Sequence, residues 1–190
     1  MIYFTSDLHL FHKNVLKFDN RPFKSVEDMH LEIIKRWNNK VTKDDIIYIL
    51  GDVSFGSAKD TIDIIKQLNY NELHLIVGNH DFKILKDKSF RDLFTEICEY
   101  KELKISDNQS IVLCHYPIPC FKNHYYGWLH LYGHTHNTWE EDITKDTRRA
   151  IEKHTPCFMW NVGIMKWDYE PVSLDEITKE IDCEVGMYEK

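Results

Sequence analysis

Apolar and polar positions along this chain fall into short blocks with two different periods. Segments 1–6, 45–50, 73–77, 110–114 and 129–132 are largely apolar runs bounded by polar residues or glycine, the pattern of buried β-strands. Between the first two, Val26, Met29, Ile33, Ile34 and Trp37 recur at helical spacing. Their run opens at Ser25-Val26-Glu27-Asp28, which reads as a capping box, so a helix is predicted to about Asn39. Further helices are expected over 59–68 and 82–94, and Ser173 with Glu176 marks the cap of a last short helix. Strands around 96–105 and 157–163 are expected to complete a second sheet. Alternation of this kind predicts an α/β protein. No repeat, low-complexity tract or linker interrupts it, so residues 1–190 are expected to form a single domain.

Each of the five apolar runs opens into a polar stretch: Asp7-Leu8-His9, Gly51-Asp52, Gly78-Asn79-His80-Asp81, His115, and Gly133-His134-Thr135-His136. In open α/β sheets ligands bind in the crevice beyond the carboxyl ends of the strands, so these stretches are predicted to converge. Gly51, Gly78 and Gly133 each precede a polar donor where the chain has to turn sharply. Any one Gly-Asp pair is more often an ordinary turn, and a lone histidine more often a surface or core residue. The ordered set of five is what points to chemistry. Asp, Asn and His donors suit divalent metals of intermediate softness, and no thiolate spacing accompanies them as a structural zinc site would require.

Composition narrows the picture. With 43% hydrophobic residues in 190, the chain can bury a substantial core. No stretch approaches the roughly 20 apolar residues that span a bilayer, and no basic, apolar leader precedes the first strand, so a soluble cytoplasmic protein with no membrane partner is expected. Cys98, Cys114, Cys120, Cys157 and Cys183 are scattered and odd in number, as reduced core thiols would be rather than a disulfide framework. Cys114 stands next to His115, yet its apolar run favours packing over a catalytic thiol. The net charge of −7, with no long basic cluster, lacks the electrostatic footprint of a duplex-DNA binder and favours a small molecule as partner over nucleic acid.

The five blocks, in this order, resemble the calcineurin-like metallophosphoesterase superfamily, with residues 5–136 carrying the motifs. Asn161-Val162-Gly163 and Pro171-Val172-Ser173-Leu174 resemble the closing segments of its small bacterial or phage members. The resemblance implies a four-layer α/β/β/α sandwich of two mixed β-sheets flanked by helices. It also implies two divalent metal ions, with manganese expected first and iron, zinc, cobalt or nickel as alternatives. One would lie on Asp7, His9, Asp52 and His136, the other on Asp52, Asn79, His115 and His134. A carboxylate has about four lone-pair directions, so Asp52 can bridge ions roughly 3.5–4 Å apart. The implied activity is hydrolysis of a phosphomonoester or phosphodiester by a metal-bridging hydroxide, with His80 assisting the leaving oxygen. Asp81 is expected to pair with the His80 imidazole, or else to cap a helix starting near Phe82.

Substrate contacts are less sharply marked. His12 and Arg21 are candidates, since Phe11-His12-Lys13-Asn14 follows the first donor pair and a guanidinium on the next loop could clamp phosphate. A solvated loop with Phe11 and Phe23 packed inward is the alternative. The aromatic-rich segments 116–128 and 137–156 could wall the site. Two other readings stand beside the phosphoesterase. A nuclease would be expected to carry extra DNA-binding or coiled-coil segments, and a non-catalytic metal scaffold to lack His80 or a ligand; this chain fits neither description. Oligomeric state is open.

Overall fold

A computed structural model of the protein describes residues 1–107 and 109–188, with side chains described to residue 184. The strands are β1 (Ile2–Thr5), β2 (Ile46–Ile49), β3 (Glu72–Ile76), β4 (Glu96–Cys98), β5 (Tyr100–Lys104), β6 (Ser110–Cys114), β7 (Leu129–Tyr132), β8 (Phe158–Asn161) and β9 (Val172–Ser173). The helices are α1 (Val15–Phe18), α2 (Val26–Lys40), α3 (Ala58–Ile65), α4 (Lys88–Arg91), α5 (Trp139–Glu152) and α6 (Leu174–Tyr188). The first sheet runs β4-β3-β2-β1-β9, parallel except for β9. The second runs β5-β6-β7-β8, parallel except for β5. Both sheets are mixed, as expected.

Side-chain alternation assembles the layers. On the inner faces, Phe4, Tyr48, Leu50 and Ile76 of the first sheet meet Ile111, Leu113, Leu129, Leu131 and Trp160 of the second in one cluster, which Ile177 of α6 joins. The intervening residues Tyr3, Ile47, Ile49, Leu73 and Leu75 face outward onto Met29, Ile33 and Trp37 of α2 and Ile65 of α3. On the far side of the second sheet, Val112, Tyr132 and Met159 pack with Phe121, Cys157 and Ile151 of α5. This is the four-layer α/β/β/α order. The sheets are stitched at their carboxyl ends, where Ser6 bridges Gly163 and the Ile164 N–H donates to the Ser6 carbonyl at 3.0 Å.

The caps form at both predicted helix starts. Ser25 Oγ accepts from the Asp28 N–H at 3.1 Å, while the Asp28 carboxylate accepts from the Lys24 N–H rather than from Ser25. Ser173 and Glu176 exchange the reciprocal pair, and α6 then runs for 15 residues rather than as a short helix.

Three further elements differ from expectation. The run 96–105 is two strands in different sheets: β4 pairs with β3, and β5 pairs antiparallel with β6. No glycine or proline marks the crossing at Glu99, because the choice of edge is made by pairing and not by local propensity. The helix expected over 82–94 is broken into a 3-10 turn at Ile84–Lys86 and the short α4. Asp87 is extended (φ −80°, ψ 123°) and its carboxylate caps the Phe90 N–H, which restarts the helix. Segment 137–156 carries α5, 14 residues begun at Thr138. Among the described residues, no helix is long and apolar enough to cross a membrane.

Candidate metal centre

The carboxyl ends of β1, β2, β3, β6 and β7 lie together, so all five polar stretches meet in one crevice. Asp7 (φ +55°), His9 (+49°), Asp52 (+56°), His134 (+69°) and His136 (+49°) all adopt left-handed backbone, a region in which Asn, Asp and His are enriched among non-glycine residues. Backbone hydrogen bonds carry the β1–β2 pairing past the strand ends, with Asp7 N–H donating to Gly51 O and His9 N–H to Asp52 O, both at 3.0 Å. Gly78 is forced by close approach, since a Cβ there would lie 2.3 Å from Asp52 Oδ1. At Gly133 a Cβ would lie 2.5 Å from Asp7 Oδ2.

The donors converge in two groups. In the first, His136 Nε2 lies 3.6 Å from Asp7 Oδ1 and 3.1 Å from His9 Nε2. In the second, His115 Nε2 lies 3.1 Å from Asn79 Oδ1, and the His134 ring sits 5.1 Å from the His115 ring. Asp52 stands between them, with Oδ2 3.6 Å from His9 Nε2 and Oδ1 3.6 Å from His115 Nε2.

These residues fit divalent cations. Asp7 and Asp52 are buried, and histidines are the only ion-pairing partners recorded for them among the described residues. Burial, followed by the nearby His136 and Arg21 charges, pushes His9 far below the usual imidazole range, so it is neutral and ready to ligate. Buried carboxylates facing a neutral imidazole call for a cation. The donor atoms of Asp7, His9 and His136, and those of Asp7, Asp52 and His115, lie within 4.8 Å of one another, two groupings that could each hold a metal ion.

A second tier of contacts orients the donors. His115 Nδ1 is 2.7 Å from the Leu50 carbonyl, which fixes its tautomer and leaves Nε2 facing the crevice. His136 Nδ1 lies 3.3 Å from Asp19 Oδ2; burial opposes its charge, but Asp19 and Asp7 raise its proton affinity overall. Asp7 accepts from Ser6 Oγ at 2.6 Å and from the His134 N–H at 3.0 Å. Behind the Gly-His-x-His loop, buried Glu141 of α5 accepts from Thr135 Oγ1 at 2.6 Å, Asn161 Nδ2 at 2.9 Å and the Tyr132 hydroxyl at 3.3 Å. Asp19 and Glu141 escape sequence reasoning, because they lie outside the polar blocks and reach the loops only through the fold. The Thr138 cap and the acidic first turn of α5 were the available signal.

Two expectations are corrected. Arg21 is no phosphate clamp: its side chain is fully buried, donating to Asp19 at 2.8 Å and to the Asp7 and Leu8 carbonyls at 2.7 and 3.0 Å, so it braces the first loop from behind. Asp81 neither pairs with His80 nor caps a helix. Its carboxylate accepts from the N–H groups of Gly78, Asp52 and Val53 at 2.8–2.9 Å and so ties the second and third loops together. Burial pushes it up to about 6, against the pull of those three donors.

His80 stands at the mouth, its side chain 44% exposed, with Nε2 3.9 Å from Asp52 Oδ2 and its N–H donating to Asp52 Oδ1 at 3.0 Å. His12 lies beside His9, their Nδ1 atoms 3.3 Å apart, and its ring stacks on Phe55 at 3.9 Å. All five cysteines are free; burial raises the Cys114 thiol, which disfavours a reactive thiolate.

A two-sheet α/β sandwich with Asp, Asn and His donors gathered at its strand ends is the architecture of a metallophosphoesterase. The calcineurin-like phosphoesterase family profile matches residues 1–182, and the chain belongs to that family, whose members are generally metal-dependent. It is 35% identical over 184 residues to the uncharacterized protein MJ1445 of Methanocaldococcus jannaschii, covering 95% of this chain and 91% of that one. It is 25% identical to the Gene 66 protein of Mycobacterium phage D29, covering 98% of each. Among solved structures, the protein of unknown function AQ665 from Aquifex aeolicus superposes with a TM-score of 0.70 at 27% identity, covering 94% of this chain and 98% of that one.

Proposed function

We propose that this protein is a phosphoesterase working with two divalent cations, manganese first among them, on a small phosphomonoester or phosphodiester. The observation that carries the reading is Asp52, whose two carboxylate oxygens face opposite donor groups, as those of a residue shared by two cations would. Asp7, His9 and His136 would complete one site, and Asn79, His115 and His134 the other. Bound cations would lower the pKa of water and neutralise phosphate charge. The remaining work falls to the chain. Asp81 and Arg21 hold the loops at fixed spacing. His80, tethered through its backbone to Asp52 yet open to solvent, delivers a proton to the leaving oxygen.

The test is hydrolysis of a nitrophenyl phosphomonoester and a nitrophenyl phosphodiester by the manganese-loaded protein. Activity should vanish on chelation and return with manganese, and full activity in metal-stripped protein would overturn the mechanism. His80→Ala should keep its metals and lose about 10²–10⁴-fold in rate on an alkyl ester. It should lose far less on a nitrophenyl ester, whose leaving group scarcely needs a proton. Equal losses on both esters would make His80 a phosphate-binding group instead.

A further inference from the structure

Beside the donor groups a cleft of about 660 Å³ opens between segments 54–58 and 82–87, with Asn79 and His80 in its wall. This volume falls within the range of sites for small organic ligands, about 300–1,000 Å³, and is larger than a phosphate needs. Two phenylalanines line it and both face solvent: Phe55 is 41% exposed and Phe82 58%. Exposed aromatic rings gathered at one cleft leave apolar surface wet, which is characteristic of a binding site. Phe55 is a held platform. It stacks on His12 at 3.9 Å and 19°, and its ring centre is 4.7 Å from that of His80. Phe82 follows Asp81, whose carboxylate is fixed inward by three backbone N–H groups, so Phe82 leaves the anchored loop toward solvent. Lys83 and Asp87 give the same cleft a donor and an acceptor.

We propose that this cleft is a nucleobase subsite. It would take the base of a nucleotide phosphoester whose leaving oxygen faces His80, an assignment that rests on the phosphoesterase reading above. The ligand has to offer a planar π-face to the phenylalanines and a polar edge to Lys83 and Asp87. A nucleobase has both, whereas an alkyl chain lacks the edge and a sugar lacks the π-face. A single base rather than a long strand is favoured by the net charge of −7, since extended nucleic acid needs a basic track for its phosphates.

The experiment separates this subsite from the hydrolytic reading by using a probe without phosphate. Adenosine is titrated into the manganese-loaded protein and followed by saturation-transfer NMR, with ribose as the control. Adenosine should bind saturably and ribose should not. Phe82→Ala should weaken adenosine about 5- to 150-fold, the range for loss of one base–aromatic stack. Phe82→Trp should restore binding, with the new indole fluorescence quenched by adenosine. Because Phe82 is largely exposed, these variants should melt like the parent, which a thermal scan checks. The subsite is refuted if adenosine fails to bind, if ribose binds equally well, or if Phe82→Ala binds like the parent. A protein inert toward every phosphoester that still bound adenosine through Phe82 would sink the phosphoesterase reading and leave the subsite standing.

Discussion

The two sheets are covered on their outer faces by helices of opposite character. Behind the first sheet, α2 buries Val26, Met29, Ile33 and Trp37, an apolar stripe with a single polar member, His30. Behind the second, α5 buries Glu141, Thr144 and Arg148. Arg148 lies over the Trp160 ring at 4.3 Å and pairs with Glu184 of α6, while Glu141 turns toward the loop carrying His134 and His136. The apolar layer gains stability from area removed from water, wherever its atoms fall within the stripe. The polar layer contributes little net stability by burial, because each desolvated group needs a placed partner. What it supplies is position. One outer layer holds the fold together, and the other holds part of the site in register.

That contrast can be broken experimentally, and the largest effect belongs to the residue facing donors from both sheets. Asp52→Ala should lose both cations, from about two per chain toward none, whereas His9→Ala should weaken one site and keep the other. Elemental analysis counts the metals, and two fully occupied ions in Asp52→Ala would refute the shared position. Next, Trp37→Ala in the apolar layer should lower unfolding free energy by about 3–5 kcal/mol, because a fully buried ring and its bond to the Asn69 carbonyl are lost. Urea titration measures this, and metal affinity in the folded fraction should not change.

The sharper comparison is Glu141→Gln. An amide cannot accept all the hydrogen bonds now donated by Thr135, Asn161 and Tyr132, so about 1–3 kcal/mol of stability should go. Metal affinity should also fall about 10- to 100-fold, the usual consequence of freeing a ligand loop. Competition with a chelator reads the second effect. If Glu141→Gln lowered stability alone, with metal binding intact, the polar layer would be ordinary packing and the contrast would disappear.

The sequence by itself determined the strands that carry the polar blocks and the start of α2, and it marked Asp7, His9, Asp52, Asn79, His115, His134 and His136 as candidate donors. These features are local. A strand shows as a short apolar run, a cap as a spaced pair, and a strand-end donor as a polar residue after both. Tertiary structure decided the rest. The run 96–105 divides between two sheets because strand pairing overrides a propensity that is uniform along it. Helix α5 was hidden because its buried side is polar, so the apolar periodicity that reveals α2 is missing. Arg21 and Asp81 sit in sequence where a substrate clamp and a catalytic partner would. The fold turns both inward, because backbone carbonyls and N–H groups bent into the crevice lack strand partners, and a buried guanidinium and a buried carboxylate satisfy them.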